Sequence, residues 1–283
     1  MDKLYHYTSS ATFFKIIKNK SIWLSDLSLA NDSKEGKIVL DTVTRLLEKA
    51  NLNTDQQTYI KESLKIAEST YSCYGFCLTE KPDLLSQWRG YADDGHGFSI
   101  GFSKQYFNGL TAIATEGGSS GIQLHKVIYD PEEHEKEISP ILNRTIEDIR
   151  MVDNSNLTKL AISTITEDSQ PARMLRIKST LTHIPFLQKM HVLKNNAFKE
   201  EAEWRLISMS SGFNRENYNT GFRAITDRII PYMDLRLPNL KNQTITEVYI
   251  GPKNLTPINV IESFLDKNGF QNVNVCFSSA SYR

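Results

Sequence analysis

KLYHYTSSATFFKIIKNKSIWLSD, residues 3–26, decides how the rest of the chain is read. Residues 3–7 alternate as a short strand: Leu4, His6 and Thr8 fall on one face, Tyr5 and Tyr7 on the other. Ser9 or Ser10 then caps a helix that carries Phe13, Phe14, Ile16 and Ile17 and stops near Asn19. Residues 21–25 alternate again as a second strand. A strand, a helix and a strand within so few residues place a mixed sheet at the start of the fold, with a histidine in the middle of its first strand.

Working outward, residues 33–50 predict a helix from Ile38, Val39, Val43, Leu46 and Leu47 at helical spacing, and residues 55–69 predict another. Strands are expected at 71–78, 97–102, 122–130, 202–210, 244–251 and 273–278, with one or two more in 221–235, where Pro231 marks an edge or a bend. A short helix lies within 82–90. Thr256 caps a helix with Pro257 at its first position, running to Gly269. Residues 132–198 read as mostly helical. No Pro/Gly/Ser linker divides the chain. The expectation is one α+β domain over 1–283, with a mixed, largely antiparallel central sheet, flanking helices and a helical insertion at 132–198.

Composition narrows function. The 283 residues balance 33 Lys and Arg against 33 Asp and Glu, which argues against a protein built mainly for a nucleic-acid backbone or an anionic membrane. No stretch approaches the ~18 apolar residues of a membrane helix, and residues 1–10 lack a secretory pattern. Cys73, Cys77 and Cys276 are too few for a disulfide framework and read as structural thiols of a cytoplasmic protein. No Walker loop, dinucleotide fingerprint, HExxH or GxSxG is present. EGGSSG, 116–121, lacks a following helix and reads as a hairpin loop.

The polar residues that stand out are His6; Glu201, Glu203 and Arg205, which share a face if their segment is a strand; the cluster Trp88, Arg89 and Tyr91; Asn31 and its neighbours, a helix-cap pattern; and the tail SSASYR. Three charges on one strand face are exposed, paired or turned to a cleft, because buried unpaired charge is costly. Trp, Arg and Tyr offer stacking surfaces and an anion-binding fork.

The segments 4–9, 23–25, 31–35, 75–79, 88–92, 97–102, 201–206, 250–252 and 278–283 together resemble a bacterial family of domains of unknown function, over essentially the whole chain. More distantly, a strand with His followed by Thr, then a helix and a second strand, resembles the opening of the ADP-ribosyltransferase-like superfamily. That resemblance implies an enzyme using NAD as substrate, a toxin or anti-phage effector, without a metal. His6 would then hold the ribose, with Glu203 the late-strand glutamate and Glu201 the first of an ExE pair. Tyr7, Thr8, Asn31, Trp88, Arg89, Tyr91 and Arg205 would bind the dinucleotide. Residues Phe98 and Ser99 are the nearest candidates for the superfamily's middle-strand element. The rival expectation is a non-catalytic nucleotide-sensing or protein-interaction module. Action on nucleic acid is a third, not favoured, and would need a basic groove built from Arg173, Arg176, Lys178, Lys189 and Lys194.

Overall fold

The computed structural model describes residues 2–29, 36–116, 121–150, 184–211, 220–225, 227–238 and 243–282. Its elements are β1 (Lys3–Thr8), α1 (Ser10–Asn19), β2 (Ser21–Asp26), α2 (Lys37–Lys49), α3 (Thr54–Thr70), β3 (Tyr71–Thr79), α4 (Leu85–Tyr91), β4 (Phe98–Ser103), α5 (Lys104–Glu116), β5 (Gln123–Lys126), α6 (Pro131–Arg150), β6 (Glu203–Ser211), β7 (Thr220–Ala224), β8 (Ile229–Arg236), β9 (Ile245–Ile250), α7 (Ile258–Lys267) and β10 (Asn274–Phe277). A single-turn 3₁₀ segment, Leu27–Leu29, follows β2, and a longer one, Asn196–Glu201, precedes β6.

The architecture is α+β. The sheet runs β10-β9-β4-β1-β3-β2-β8-β7, and β6 pairs with both β3 and β5. Every named strand pair is antiparallel except β9 with β10. Strand β3 is the hub. One edge zips to β6 over its whole length, from Tyr71 opposite Ser211 to Thr79 opposite Glu203. The other edge is shared. It pairs with β1 only at Tyr5 opposite Thr79, and with β2 at Gly75 and Tyr74. Between those contacts the two strands splay apart and the sheet forks.

Alternation divides the sheet into two unlike faces. One face carries Leu4, Ile22, Leu24, Phe76, Leu78, Ile100, Leu206, Val248 and Ile250, and packs against Phe13, Ile16 and Ile17 of α1, Tyr106 and Phe107 of α5, and Ile261 and Leu265 of α7. The opposite face is covered in two patches. Helices α2, α3 and α6 with residues 186–193 close over Cys73 and Ile207, while Trp88 and Ala92 close over Tyr5 and Tyr7. Cys77 lies on that face between the patches and is exposed, although it stands in the middle of the central strand.

Several local features explain where elements stop. Ser9 caps α1 by accepting from the Thr12 amide, and Asn53 caps α3 in a reciprocal box with Gln56. Gly97 enters β4 where a Cβ would stand 2.0 Å from the Thr8 carbonyl oxygen, so only glycine fits. Some expectations need correction. Helix α2 starts at Lys37 after left-handed Gly36, not at 33. The strand expected over 122–130 is paired only as β5, followed by an isolated bridge from Ile128 to Leu193. Pro257 is itself the cap of α7 and not its first helical residue. Pro231 lies in β8, an interior strand between β2 and β7. The pairing with β2 ends at Tyr232, so the amide that Pro231 lacks is not needed there. Of the expected insertion at 132–198, α6 and the helical residues 184–190 are described, and residues 151–183 lie outside the described residues.

Candidate functional site

The opening between the two patches has Cys77 as its floor and a charged cluster as one wall. Cys77 is opposite Arg205 in the β3–β6 ladder, and Thr79 is opposite Glu203, so both charges stand on the same face as the cysteine. Arg205 grips Glu203 with two parallel bonds, Nε to Oε1 at 2.7 Å and Nη2 to Oε2 at 3.0 Å, and its Nη1 donates to the His191 carbonyl at 2.9 Å. Lys194 donates to Glu203 at 2.9 Å and to Glu201 at 2.6 Å. Two cations therefore meet two carboxylates, and the pairing offsets the cost of burying them.

Glu201 does not share the strand. The 3₁₀ turn ends on it, and Ala202 adopts a left-handed conformation, φ 43°, before β6 begins at Glu203. The expected one-face alignment of Glu201, Glu203 and Arg205 fails for that reason. Lys194 unites the two glutamates instead. The Ile128 carbonyl fixes the Lys194 backbone amide at 3.0 Å, and the Tyr129 hydroxyl accepts the Glu203 amide at 2.9 Å. Exposed Tyr91 reaches over the rim, its hydroxyl 3.5 Å from Glu201 Oε1.

Electrostatics follow from crowding. Burial raises the Glu203 carboxyl above its ordinary range against the pull of Lys194. Burial also works against the Lys194 ammonium, but Glu203 and Glu201 outweigh it and hold the proton. Cys77 is exposed to solvent, with Glu203, Lys194 and Glu201 near enough to act on its thiol. Burial, then Glu203, pushes its thiol well above the usual range. Tyr91 rises to about 12 through burial and then Glu201.

His6 sits in the fork. Its ring stacks on Phe76 at 4.0 Å, and its Nδ1 lies 2.8 Å from the Cys77 carbonyl oxygen. A carbonyl only accepts, so Nδ1 carries the hydrogen and Nε2 keeps a lone pair. Burial lowers the imidazole to about 4, which keeps it neutral at ordinary pH. The bond occupies a carbonyl on the β3 edge where the sheet forks.

The other candidates from sequence are not in the recess. Trp88 is fully buried, donating to Asp83 Oδ1 at 2.6 Å and meeting the Tyr7 ring edge-on at 4.8 Å. Its place is structural and leaves no face for a ligand. Tyr7 is buried too, its hydroxyl donating to the Lys81 carbonyl and accepting from the Leu84 amide. Thr8 is buried beside Gly97. Arg89 is exposed on α4, over the Tyr282 ring at 5.8 Å. Ser99 is buried opposite Tyr7. Asn31, the segment 31–35, most of the loop 116–121, Arg283, Arg173, Arg176 and Lys178 lie outside the described residues. The two described members of the expected basic groove, Lys189 and Lys194, are each paired with glutamate. Sequence reading assigned no role in this site to Cys77 and placed Lys194 only in that groove.

Among the described residues no helix is long and apolar enough to cross a membrane. No curated protein and no solved structure matches the chain. A family match covers the motifs at 88–92, 97–102 and 201–206 and leaves out those at 4–9, 23–25, 31–35, 75–79, 250–252 and 278–283. Residues 87–206, a stretch that runs from the short helix with the buried Trp88 to the strand that carries Glu203 and Arg205, match the family described as protein of unknown function (DUF2971).

Proposed function

We propose that the recess binds NAD and that the protein is an ADP-ribosyltransferase-like enzyme of the cytoplasm, acting as a toxin or anti-phage effector on a macromolecular acceptor. The observation that carries the reading is the pair Glu201 and Glu203 beside solvent-exposed Cys77, with neutral His6 bonded to the Cys77 carbonyl at the adjoining fork. In this reading the bond between nicotinamide N1 and ribose C1′ breaks, and its electron pair leaves with neutral nicotinamide. The positive charge develops on the ribose, as in glycosidic cleavage generally. Glu201 and Glu203 stabilise that charge. His6, with Nδ1 committed to the Cys77 carbonyl, turns its ring to the Phe76 face and reaches a ribose hydroxyl only across the fork. The acceptor's nucleophile then adds to C1′, and its proton passes to a carboxylate.

The ion cluster sets a condition. Glu203 is already neutralised by Arg205 and Lys194. A pyrophosphate that draws Lys194 away exposes a carboxylate to the ribose, so substrate would arm the site on binding. The same charge balance favours a second reading, a nucleotide-sensing module in which the cluster never opens. Nicotinamide release from NAD by the purified protein, beside Glu203→Gln and His6→Asn, decides between them. Release that depends on Glu203 and His6 supports the enzyme. Saturable nucleotide binding without release supports the module.

A further inference from the structure

The wing of the sheet beyond the fork, built by β2, β8 and β7, carries its own polar assembly on the face that holds Cys77. Ser25 is opposite both Gly75 and Tyr232, and Tyr232 is opposite Gly221. Arg223, two residues beyond Gly221, stands on the same face. Its Nη2 donates to Ser25 Oγ at 2.9 Å. Its Nε is buried without a hydrogen-bond partner, and among the described residues no carboxylate lies within ion-pair distance of it. Arg205 and Lys194, drawn into the same face, each have a glutamate.

A half-buried guanidinium with no anion is costly for the folded protein alone. Burial alone pulls its pKa below the ordinary arginine value. Next to it, Trp23 and Tyr232 stack at 4.1 Å with their planes 17° apart, and both stay partly exposed. Gly221 makes room for that geometry, since a Cβ there would stand 2.7 Å from the Tyr232 ring. Trp23 and Ser25 are two residues apart on one strand, about 7 Å, a span close to that between a nucleoside ring and its phosphate.

We propose that Arg223 and Ser25 form a phosphate subsite, with Trp23 and Tyr232 as the ring shelf beside it, and that together they take a nucleoside diphosphate. The identity of the ligand as a nucleotide rests on the reading proposed above; the anion requirement at Arg223 does not.

The test titrates ADP, inorganic pyrophosphate and adenosine into the full chain and into Arg223→Met, Arg223→Lys and Trp23→Leu, following thermal midpoint and calorimetry. ADP and pyrophosphate are expected to saturate with the unmodified chain. Arg223→Met weakens both by about tenfold or more, while its ligand-free midpoint stays equal or rises. Arg223→Lys retains part of the affinity because the charge survives without the fork. Trp23→Leu weakens ADP and leaves pyrophosphate unchanged. A lower ligand-free midpoint in Arg223→Met together with unchanged ADP binding in Arg223→Lys overturns the proposal, and so does the absence of any saturable anion binding to the unmodified chain. Arg223-dependent ADP binding without nicotinamide release removes the enzyme reading and keeps this subsite. Nicotinamide release with Arg223-independent binding does the reverse.

Discussion

The two edges of β3 solve the same problem in opposite ways. Along the edge shared with β6, nine successive residue pairs complete the ladder, and the charges above it are matched carboxylate to cation. Along the other edge, β1 and β2 supply three pairs between them, and a side chain, His6, caps one of the carbonyls at the gap. A complete ladder fixes side chains by register alone. A forked edge leaves backbone groups to be satisfied by side chains, and it makes room for solvent. The lesson is that the recess follows from strand pairing: the same fork that interrupts the ladder exposes Cys77.

The largest effect expected tests the zipped edge. Arg205→Met leaves Glu203 buried with only Lys194, and should cost about 3–5 kcal/mol in urea denaturation, as breaking one side of a buried pair does. Replacing Glu203 and Arg205 together by Gln and Met should recover much of that loss. A double variant no more stable than the single one would show that register, not charge matching, holds that edge.

The forked edge should yield less. His6→Phe keeps a ring over Phe76 but leaves the Cys77 carbonyl without its donor, for a loss of roughly 1–3 kcal/mol. His6→Asn, which can still donate, should lose less. Equal losses would mean that the stacked ring, not the bond, closes the fork.

Acid should act through the same histidine. His6 and His191 are both held to about 4 by burial, below the ordinary value of 6.5. A base with a depressed pKa binds fewer protons folded than unfolded. Their contribution is therefore complete above pH 6.5 and is lost as pH falls toward 4. For His6, which is partly exposed, the loss should be roughly 2 kcal/mol. Equilibrium unfolding across that window should flatten in His6→Asn, whereas a profile identical to the unmodified chain would locate the acid sensitivity elsewhere.

Much of the frame was legible in residues 3–26, because alternation and helical spacing are local. His6, Leu4 and Thr8 do share a face, and the helix ends where Lys20 turns left-handed. The candidate site was legible only in part. Glu203 and Arg205 stand on one face as their spacing requires, but Glu201 does not, because Ala202 breaks the strand. Trp88 looked like a stacking surface and is core, since the short helix that bears it lies over Tyr7. Lys194, Cys77 and Arg223 draw their significance from strands far apart in the chain. The spacing of a sequence does not record which two strands will share an edge.

The smallest effect is the most specific to the fork. Cys77 occupies the centre of the central strand, where an apolar side chain is ordinarily buried and its truncation or polar replacement costly. Its exposure says that the thiol reaches solvent instead of filling a core. Cys77→Ser should change stability by less than about 0.5 kcal/mol, while Cys73→Ser, inside the patch formed by α2, α3 and α6, should lose more. The raised pKa of the Cys77 thiol adds a kinetic signature. A small neutral alkylating reagent should reach it only slowly at neutral pH and faster as pH rises, because the thiolate is the nucleophile. A bound ligand filling the recess should slow that labelling further without touching the thiol's chemistry. If Cys77 proves as costly to replace as Cys73, the recess is closed in solution and the contrast between the two edges of β3 is one of hydrogen bonding alone.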